Sequence, residues 1–393
     1  LAIFCDLSKV IVGPSIHMCH LQLKICLLQL KLPFLSRLAL LGAGQFACTT
    51  YVPKLGDLAH LASLKVIWSR SKNAALKGLE LAKPYAPEAE AKWGDEGLEA
   101  IWNDKTIHAV AIVLPAQAQL NVVLQALQAG KHIMHMGAAV AEVCKAWSAY
   151  QALATQKLKL PIWAVAENYR FEPGLIQAAR FVKEAGALMA VQVTMEVPMN
   201  SSNPYFLSTW RRDPDFKGGF LIDVGVHFIA GLRLIVGSEV SSVSALATHV
   251  NSSLPNPDNI SSLLQFSNGC TGVLNLSLSA TTRKVSWRVV GSLGTVEAVR
   301  GVEDGKHGYK CTFHPSKGNP QEGFGAFAGV QEELKSFVVD VAQALSEEKS
   351  AEQADKRSSV LEAMRDLAVL EAMLHSSDNK GIPTSVVIDM NAE

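Results

Sequence analysis

The stretch Arg37-Leu38-Ala39-Leu40-Leu41-Gly42-Ala43-Gly44-Gln45-Phe46-Ala47 reads as a short apolar strand entering a glycine turn that opens a helix. That arrangement cradles a dinucleotide. Gly42 lets the chain turn tightly off the strand, and Gly44, with no side chain, lets a pyrophosphate approach the backbone. Ala47 takes the third small position, where helix packs on strand, and the helix N-terminus offers free N–H groups and a positive dipole end. A motif this short is weak by itself. Here a strand precedes it, a helical pattern follows, and a second apolar strand, Leu64–Trp68, arrives at the expected distance.

Outward from the turn, strand and helix patterns alternate as far as about Glu167. Leu38–Leu41, Leu64–Trp68, Ala109–Leu114, His132–Met134 and Trp163–Val165 are apolar runs without alternation, suited to strands buried on both faces of a parallel sheet. A helix over Ala118–Ala129 ends at Gly130, as a C-cap glycine should. After Phe171 the rhythm changes. One helix, Leu175–Glu184, leads to alternating runs at Ala190–Val197, Val243–His249, Ser262–Phe266, Gly272–Leu278, Val285–Val290 and Gly294–Ala298, with a hairpin signal at Asn268-Gly269. Helices over Val330–Leu345 and Ser359–Leu374 follow. The predicted class is α/β: an N-terminal Rossmann doubly wound parallel sheet at 37–167, then a C-terminal α+β domain at 168–393 with an open, mostly antiparallel sheet.

Bulk composition narrows the function classes. The chain has 393 residues, 49% hydrophobic and 18% charged, enough for two cores. Its charges sum to zero, which gives no general pull toward nucleic acid or an anionic membrane. No run is read as long enough to span a membrane. The seven cysteines form no C-x-x-C pair, so no metal site is expected, and the dispersed set fits a reducing, cytoplasmic setting. Residues 1–36 are apolar but interrupted by charges, without the look of a transit or signal peptide. They read as a fragment or translated upstream region with Met18 as an in-frame start, or as a targeting or docking segment.

The end of the second strand speaks to the cofactor. A Rossmann unit that holds NAD places a carboxylate there for the ribose 2′-hydroxyl, whereas this chain reads Ser69-Arg70-Ser71. A hydroxyl and a guanidinium suit a 2′-phosphate, so NADP is favoured and NAD is the alternative.

Several stretches in order resemble the Gfo/Idh/MocA family of oxidoreductases: the glycine turn, Ala129-Gly130-Lys131-His132-Ile133, the junction stretch Ala166-Glu167-Asn168-Tyr169-Arg170-Phe171-Glu172-Pro173, and Trp210-Arg211. So do Gly218-Gly219-Phe220-Leu221-Ile222-Asp223-Val224-Gly225-Val226-His227 and Gly291-Ser292-Leu293-Gly294-Thr295. The resemblance implies hydride transfer between a nicotinamide and a carbon-bound hydroxyl on a sugar, polyol or cyclic diol. It also implies a homo-oligomer packed through the C-terminal sheet. Gln45 and Phe46 after the glycine turn, Leu114 and Pro115 in the turn after the fourth strand, and Gln119 beyond them join Gly42, Gly44, Ser69 and Arg70 as expected cofactor contacts. Asn168, Arg170, Trp210 and Arg211 fall where the family's substrate pocket opens; Asn168 and Arg170 could equally tie the two domains together.

Oxidising an alcohol needs a base for the hydroxyl proton. Asp223 and His227 are four residues apart in a helical stretch, so they share a face, and a carboxylate beside an imidazole orients it and raises its pKa. The family's usual proton handler is the lysine of an E-K-P motif after the fifth strand. This chain reads Met136-Gly137-Ala138 there, and neither Lys131 nor Lys145 can take that place; Lys217 reads as a solvated loop charge. Three readings follow: an error in the gene model, a catalytically silent dinucleotide-binding sensor or partner-binding module, or an enzyme that uses His227 or His135 as acid/base.

Overall fold

The structure, a computed structural model, describes residues 35–137, 140–156, 159–203, 205–206, 211, 214, 218–347 and 349–388. The readings of residues 1–34, Trp210 and Lys217 lie outside them.

The first sheet is built from β1 (Ser36–Leu41), β2 (Ala62–Ser69), β3 (Glu90–Trp93), β4 (Ala109–Ile112), β5 (His132–Met136) and β6 (Trp163–Ala166). Its strand order is β3-β2-β1-β4-β5-β6 and every pairing is parallel. The order reverses between β1 and β4, which opens a crevice at their C-terminal ends. Leu38, Ala39, Leu40 and Leu41 are all buried, as expected of a strand covered on both faces. Strand β3 leaves no mark in the hydrophobic pattern of the sequence. It is a short edge strand with no buried side chain in its pattern, so it carries no apolar signature.

Helices flank the sheet. A π-helical turn, Ala47–Tyr51, runs from the glycine turn into α1 (Val52–Asp57). Then come α2 (Lys72–Ala82), α3 (Gly94–Asn103), α4 (Ala116–Gln128) and α5 (Val140–Gln156). Glu167 follows β6 directly, and its carboxylate accepts from the Tyr169 N–H to cap a 3-10 turn, Asn168–Phe171. Helix α6 (Pro173–Glu184) starts from that turn.

The second sheet has nine strands in the order β14-β13-β12-β11-β7-β10-β9-β8-β15. They are β7 (Leu188–Glu196), β8 (Val240–Thr248), β9 (Asn259–Phe266), β10 (Thr271–Ser277), β11 (Lys284–Gly291), β12 (Gly294–Glu303), β13 (Lys306–Pro315), β14 (Gln321–Ala326) and β15 (Thr384–Ser385). Pairing is antiparallel except between β10 and β7. Strands β13 and β14 were also unread: the first mixes lysine and histidine into its alternation, and the second is glycine-rich.

Side chains alternate strictly on β9, so one face is core and the other carries exposed Leu263 among polar neighbours. Helix α7 (Gly219–Val236) lies on the core face, with Phe228, Ile229 and Leu232 buried against the sheet. It is long and apolar enough to cross a membrane, contrary to the sequence reading, and 67% of that stretch is buried inside the protein.

The last helices return across the junction. Helix α8 (Gly329–Leu345) places Leu334, Phe337, Val338 and Val341 in the core of the first sheet. Helix α9 (Val360–Asp378) contributes Met364 to the first-sheet core and Leu370 and Met373 to the second. The chain order of the two halves is therefore simpler than their packing.

Candidate active site

A cleft of about 690 Å³ lies at the crevice between β1 and β4 and reaches across to α7 and α9. Gly44, Gln45 and Phe46 line it on one side, Leu114, Pro115, Gln119 and Gly137 continue the wall, and Glu167, Arg211, Asp223 and His227 close it. Gly42 has φ of +121°, and a Cβ there would sit 2.2 Å from the Val113 carbonyl oxygen. Its N–H donates to the Trp68 carbonyl at 2.8 Å, locking the turn to β2. A Cβ on Gly44 would meet nothing within 4 Å, so the backbone there stands open to the cleft. This is the cradle a pyrophosphate fits.

A second hollow of about 630 Å³ shares Leu114 and Pro115 with the first and ends at Arg70. Arg70 is exposed at the end of β2, and the Ser71 hydroxyl caps α2 by accepting from the Ala74 N–H at 3.2 Å. Ser69 lines neither hollow. Gln119, expected to donate to a cofactor, is buried. Its Nε2 donates to the carbonyls of Leu114 at 3.0 Å and Gly137 at 3.4 Å, so it stitches the turn after β4 to the loop after β5.

Around Asp223 and His227 the structure corrects the sequence reading. Asp223 and His227 do share a face and both line the cleft. The carboxylate on His227 is Glu167, however, with both oxygens 2.9 Å from Nδ1. Asp223 instead accepts from Arg211 Nε at 2.8 Å. The His227 ring stacks on Tyr169, centroids 5.2 Å apart and planes 16° from parallel. With Nδ1 on Glu167, Nε2 is left to the cleft. Burial opposes charge on His227, but Glu167 and, less strongly, Asp223 and Asp366 outweigh it and raise the pKa. Burial likewise works against the Glu167 charge, yet His227, Arg170 and the Tyr169 N–H hold its carboxyl below the usual range.

Arg170 is not a substrate contact. It is buried in an ion pair between its Nη2 and Asp366 on α9, and Arg233 of α7 holds the other Asp366 oxygen at 2.6 Å. Arg233 also reaches Glu362 at 2.8 Å and Glu239 at 2.7 Å. Two guanidinium groups on one buried carboxylate fasten the junction turn and α7 to α9. Asn168 likewise turns away from the cleft: its Nδ2 donates to Glu172 at 3.4 Å.

His135 is no acid/base. It is fully buried, its Nδ1 lies 2.6 Å from the Met136 carbonyl oxygen, and burial pushes its pKa down to about 4. Lys131 is locked away from the cleft by the carbonyls of Asp104 at 2.5 Å and Ile107 at 2.9 Å. Gly137 is exposed, and a Cβ on it would meet nothing within 4 Å. Sequence reasoning missed what Glu167, Tyr169, Arg233 and Asp366 do. Glu167 lies 60 residues from His227 and no spacing rule links them; the one available signal was its place in the junction stretch.

Residues 36–135 match the model described as "Oxidoreductase family, NAD-binding Rossmann fold", and residues 177–297 match the "GFO/IDH/MocA C-terminal domain". A dehydrogenase of Fusarium mangiferae, FPY6, is 30% identical over 361 residues, which is 86% of this chain and 96% of the relative. An oxidoreductase structure from Thermotoga maritima, 25% identical, superposes with a TM-score of 0.72 over 90% of this chain and 99% of its own. An inositol dehydrogenase homolog from Azotobacter vinelandii, solved with NAD+, shares the fold at 17% identity, with a TM-score of 0.73 over 90% of this chain and 98% of its own.

Proposed function

The chain belongs to the GFO/IDH/MocA family of oxidoreductases, and from that premise we propose that it oxidises or reduces a CH–OH group of a sugar, polyol or cyclic diol, with NADP(H) as its dinucleotide. The observation that carries this reading is His227: Nδ1 is committed to Glu167 and Nε2 is left to a cleft whose opposite wall is the glycine turn. Gly42 and Gly44 would hold the pyrophosphate, and Leu114 and Pro115 would flank the dinucleotide between the two hollows. Arg70, beside the N-terminus of α2, would hold the 2′-phosphate. When bound, the dinucleotide supplies the hydride acceptor or donor. The protein's part is to position the carbinol carbon and to move the hydroxyl proton. In the oxidation direction, neutral His227 accepts that proton at Nε2, and the resulting imidazolium is held by the Glu167 carboxylate. Arg211 and Asp223, paired with each other on the cleft wall, are placed to hydrogen-bond neighbouring hydroxyls.

Gly137 favours a second reading, a dinucleotide-binding module without turnover, because no described residue there replaces the family lysine and the space beside Gly137 is open. The two separate in one experiment: titrate the protein with NADPH and NADH, then assay NADP reduction across a panel of polyols, inositols and dihydrodiols. The enzyme reading expects NADPH to bind more tightly than NADH, Arg70→Ala to erase that difference, and at least one panel member to be oxidised. Binding without turnover, together with activity gained in Gly137→Lys, supports the silent module. Failure to bind either dinucleotide ends both. The exposed outer face of the second sheet, with Leu263 on β9 and Val273 on β10, is where we expect copies to pack.

A further inference from the structure

The elements that hold His227 come from both halves of the molecule. Its ring is carried by α7, which is part of the second-sheet core. Glu167 follows β6, the last strand of the first sheet, without an intervening residue. Their contact is therefore a hydrogen bond across the junction between the two sheets. Tyr169, two residues on in the same 3-10 turn, stacks on the imidazole, and Arg170, the next residue, clamps Asp366 of α9. Three of four consecutive side chains thus fix one ring and the helix behind it.

Resting on the reading of His227 as the proton handler, we propose that Glu167 is a positioning residue that sets the tautomer and basicity of His227 across the domain junction, so that a competent acid/base exists only while the two halves are docked. The carboxylate accepts a hydrogen bond from Nδ1–H, so the neutral ring carries its hydrogen there and presents a bare Nε2 lone pair to the cleft. In alcohol oxidation the substrate O–H bond breaks and its proton joins Nε2; a bound oxidised nicotinamide would supply the acceptor for the carbinol hydride. Glu167 stays ionised throughout and balances the imidazolium. This is the service that helical spacing alone assigned to Asp223, whose charge is instead matched by Arg211. The other charges around the ring are Asp366, matched by Arg170 and Arg233, and Arg170 itself, so Glu167 is the one carboxylate in direct contact with the imidazole among the described residues. Tyr169 contributes a ring face and no charge in the neutral range, because burial raises its pKa.

Glu167→Gln tests this with two readouts. Glutamine keeps the size of the side chain, and its Oε1 can still accept from Nδ1, but the charge is gone. Histidine NMR on the full chain should show wild-type His227 titrating above 6.5 with its neutral proton on Nδ1, and a midpoint lower by about one unit or more in Glu167→Gln. The pH midpoint of kcat/KM for oxidation should fall by the same amount, while NADPH affinity stays within about twofold. Glu167→Asp, which keeps the charge at shorter reach, should fall between the two and guards against a Gln variant that does not fold. An unchanged His227 midpoint in both variants, or a neutral proton on Nε2 in the wild type, overturns the proposal. The NMR arm decides even if no substrate is turned over, so a failure of the enzyme reading is told apart from a failure of this one.

Discussion

The two ends of the cleft are built differently. The dinucleotide end is local: Gly42, Gly44, Gln45 and Phe46 are neighbours in sequence, and Gly42 reaches only to the adjoining strand ends for the Trp68 carbonyl. The end proposed for proton transfer is assembled from far apart. His227 meets Glu167 across 60 residues, and Arg170 meets Asp366 across 196. A local motif needs one turn to form correctly. The other end needs β6, the 3-10 turn, α7 and α9 to dock together. The first therefore argues for binding, and only the second can argue for catalysis.

Substitutions at each end can break or sharpen that contrast. The largest effect is expected at the assembled end. His227→Ala should lower turnover by about 10²–10⁴, the span general acid–base groups contribute, with NADPH binding unchanged in a fluorescence titration. Next comes Arg170→Met. It leaves the Asp366 carboxylate buried with one guanidinium instead of two, at a cost of about 3–5 kcal/mol, read as a lowered midpoint in urea unfolding. The local end should give smaller and separable effects. Gly42→Ala places a Cβ on the Val113 carbonyl at a positive φ and should cost about 1–3 kcal/mol of stability. Gly44→Ala meets no protein atom, so its melting temperature should hold while NADPH affinity falls about 10- to 100-fold through lost contacts to a charged group. If Gly44→Ala unfolds the protein, the cradle is structural and the contrast fails.

The smallest effect concerns Glu333, buried beside the π-helical turn Ala47–Tyr51 with Oε1 3.5 Å from the Tyr51 hydroxyl. Burial, reinforced by Glu167 and Glu172, raises its carboxyl well above the ordinary value of 4.5. The folded chain therefore keeps a proton that the unfolded chain releases above 4.5, and Glu333 costs stability progressively as pH rises through that window. Glu333→Gln removes this dependence. Its melting temperature relative to wild type should rise by about 2–4 °C between pH 4.5 and pH 8, checked by calorimetry at both.

How far the sequence carried follows the same division. Strands β1, β2, β4, β5 and β6 were legible because unalternating apolar runs have few other places to go, and the glycine turn because its constraint is steric. The edge strands β3 and β14 escaped since they need little burial, and β13, an inner strand with Tyr309, Cys311 and Phe313 buried, escaped because lysine and histidine interrupt its pattern. Helical spacing placed Asp223 and His227 on one face correctly, and both do line the cleft. It could not tell which carboxylate the imidazole meets, because Arg211 claims Asp223 from a separate segment and Glu167 arrives from the other sheet. By type, Arg170 and Asn168 read equally as hydroxyl binders and as ties between the two halves. Their roles are set by partners: for Arg170 this is Asp366 on α9, hidden by 196 residues of sequence, and for Asn168 it is Glu172, four residues on, which only the turn geometry selects. The change at Gly137 was legible as a loss, whereas the open space around it was a matter for the structure.

The most direct test of catalysis at the assembled end follows the hydrogen itself. The protein would be given NADPH carrying deuterium at the transferable C4 position and a panel of ketoses and inososes, and the products analysed by mass spectrometry. Deuterium on the new carbinol carbon in wild type, and its absence in His227→Ala that still binds NADPH, is the predicted result. Full NADPH binding with no deuterium transferred to any member of the panel would contradict the account.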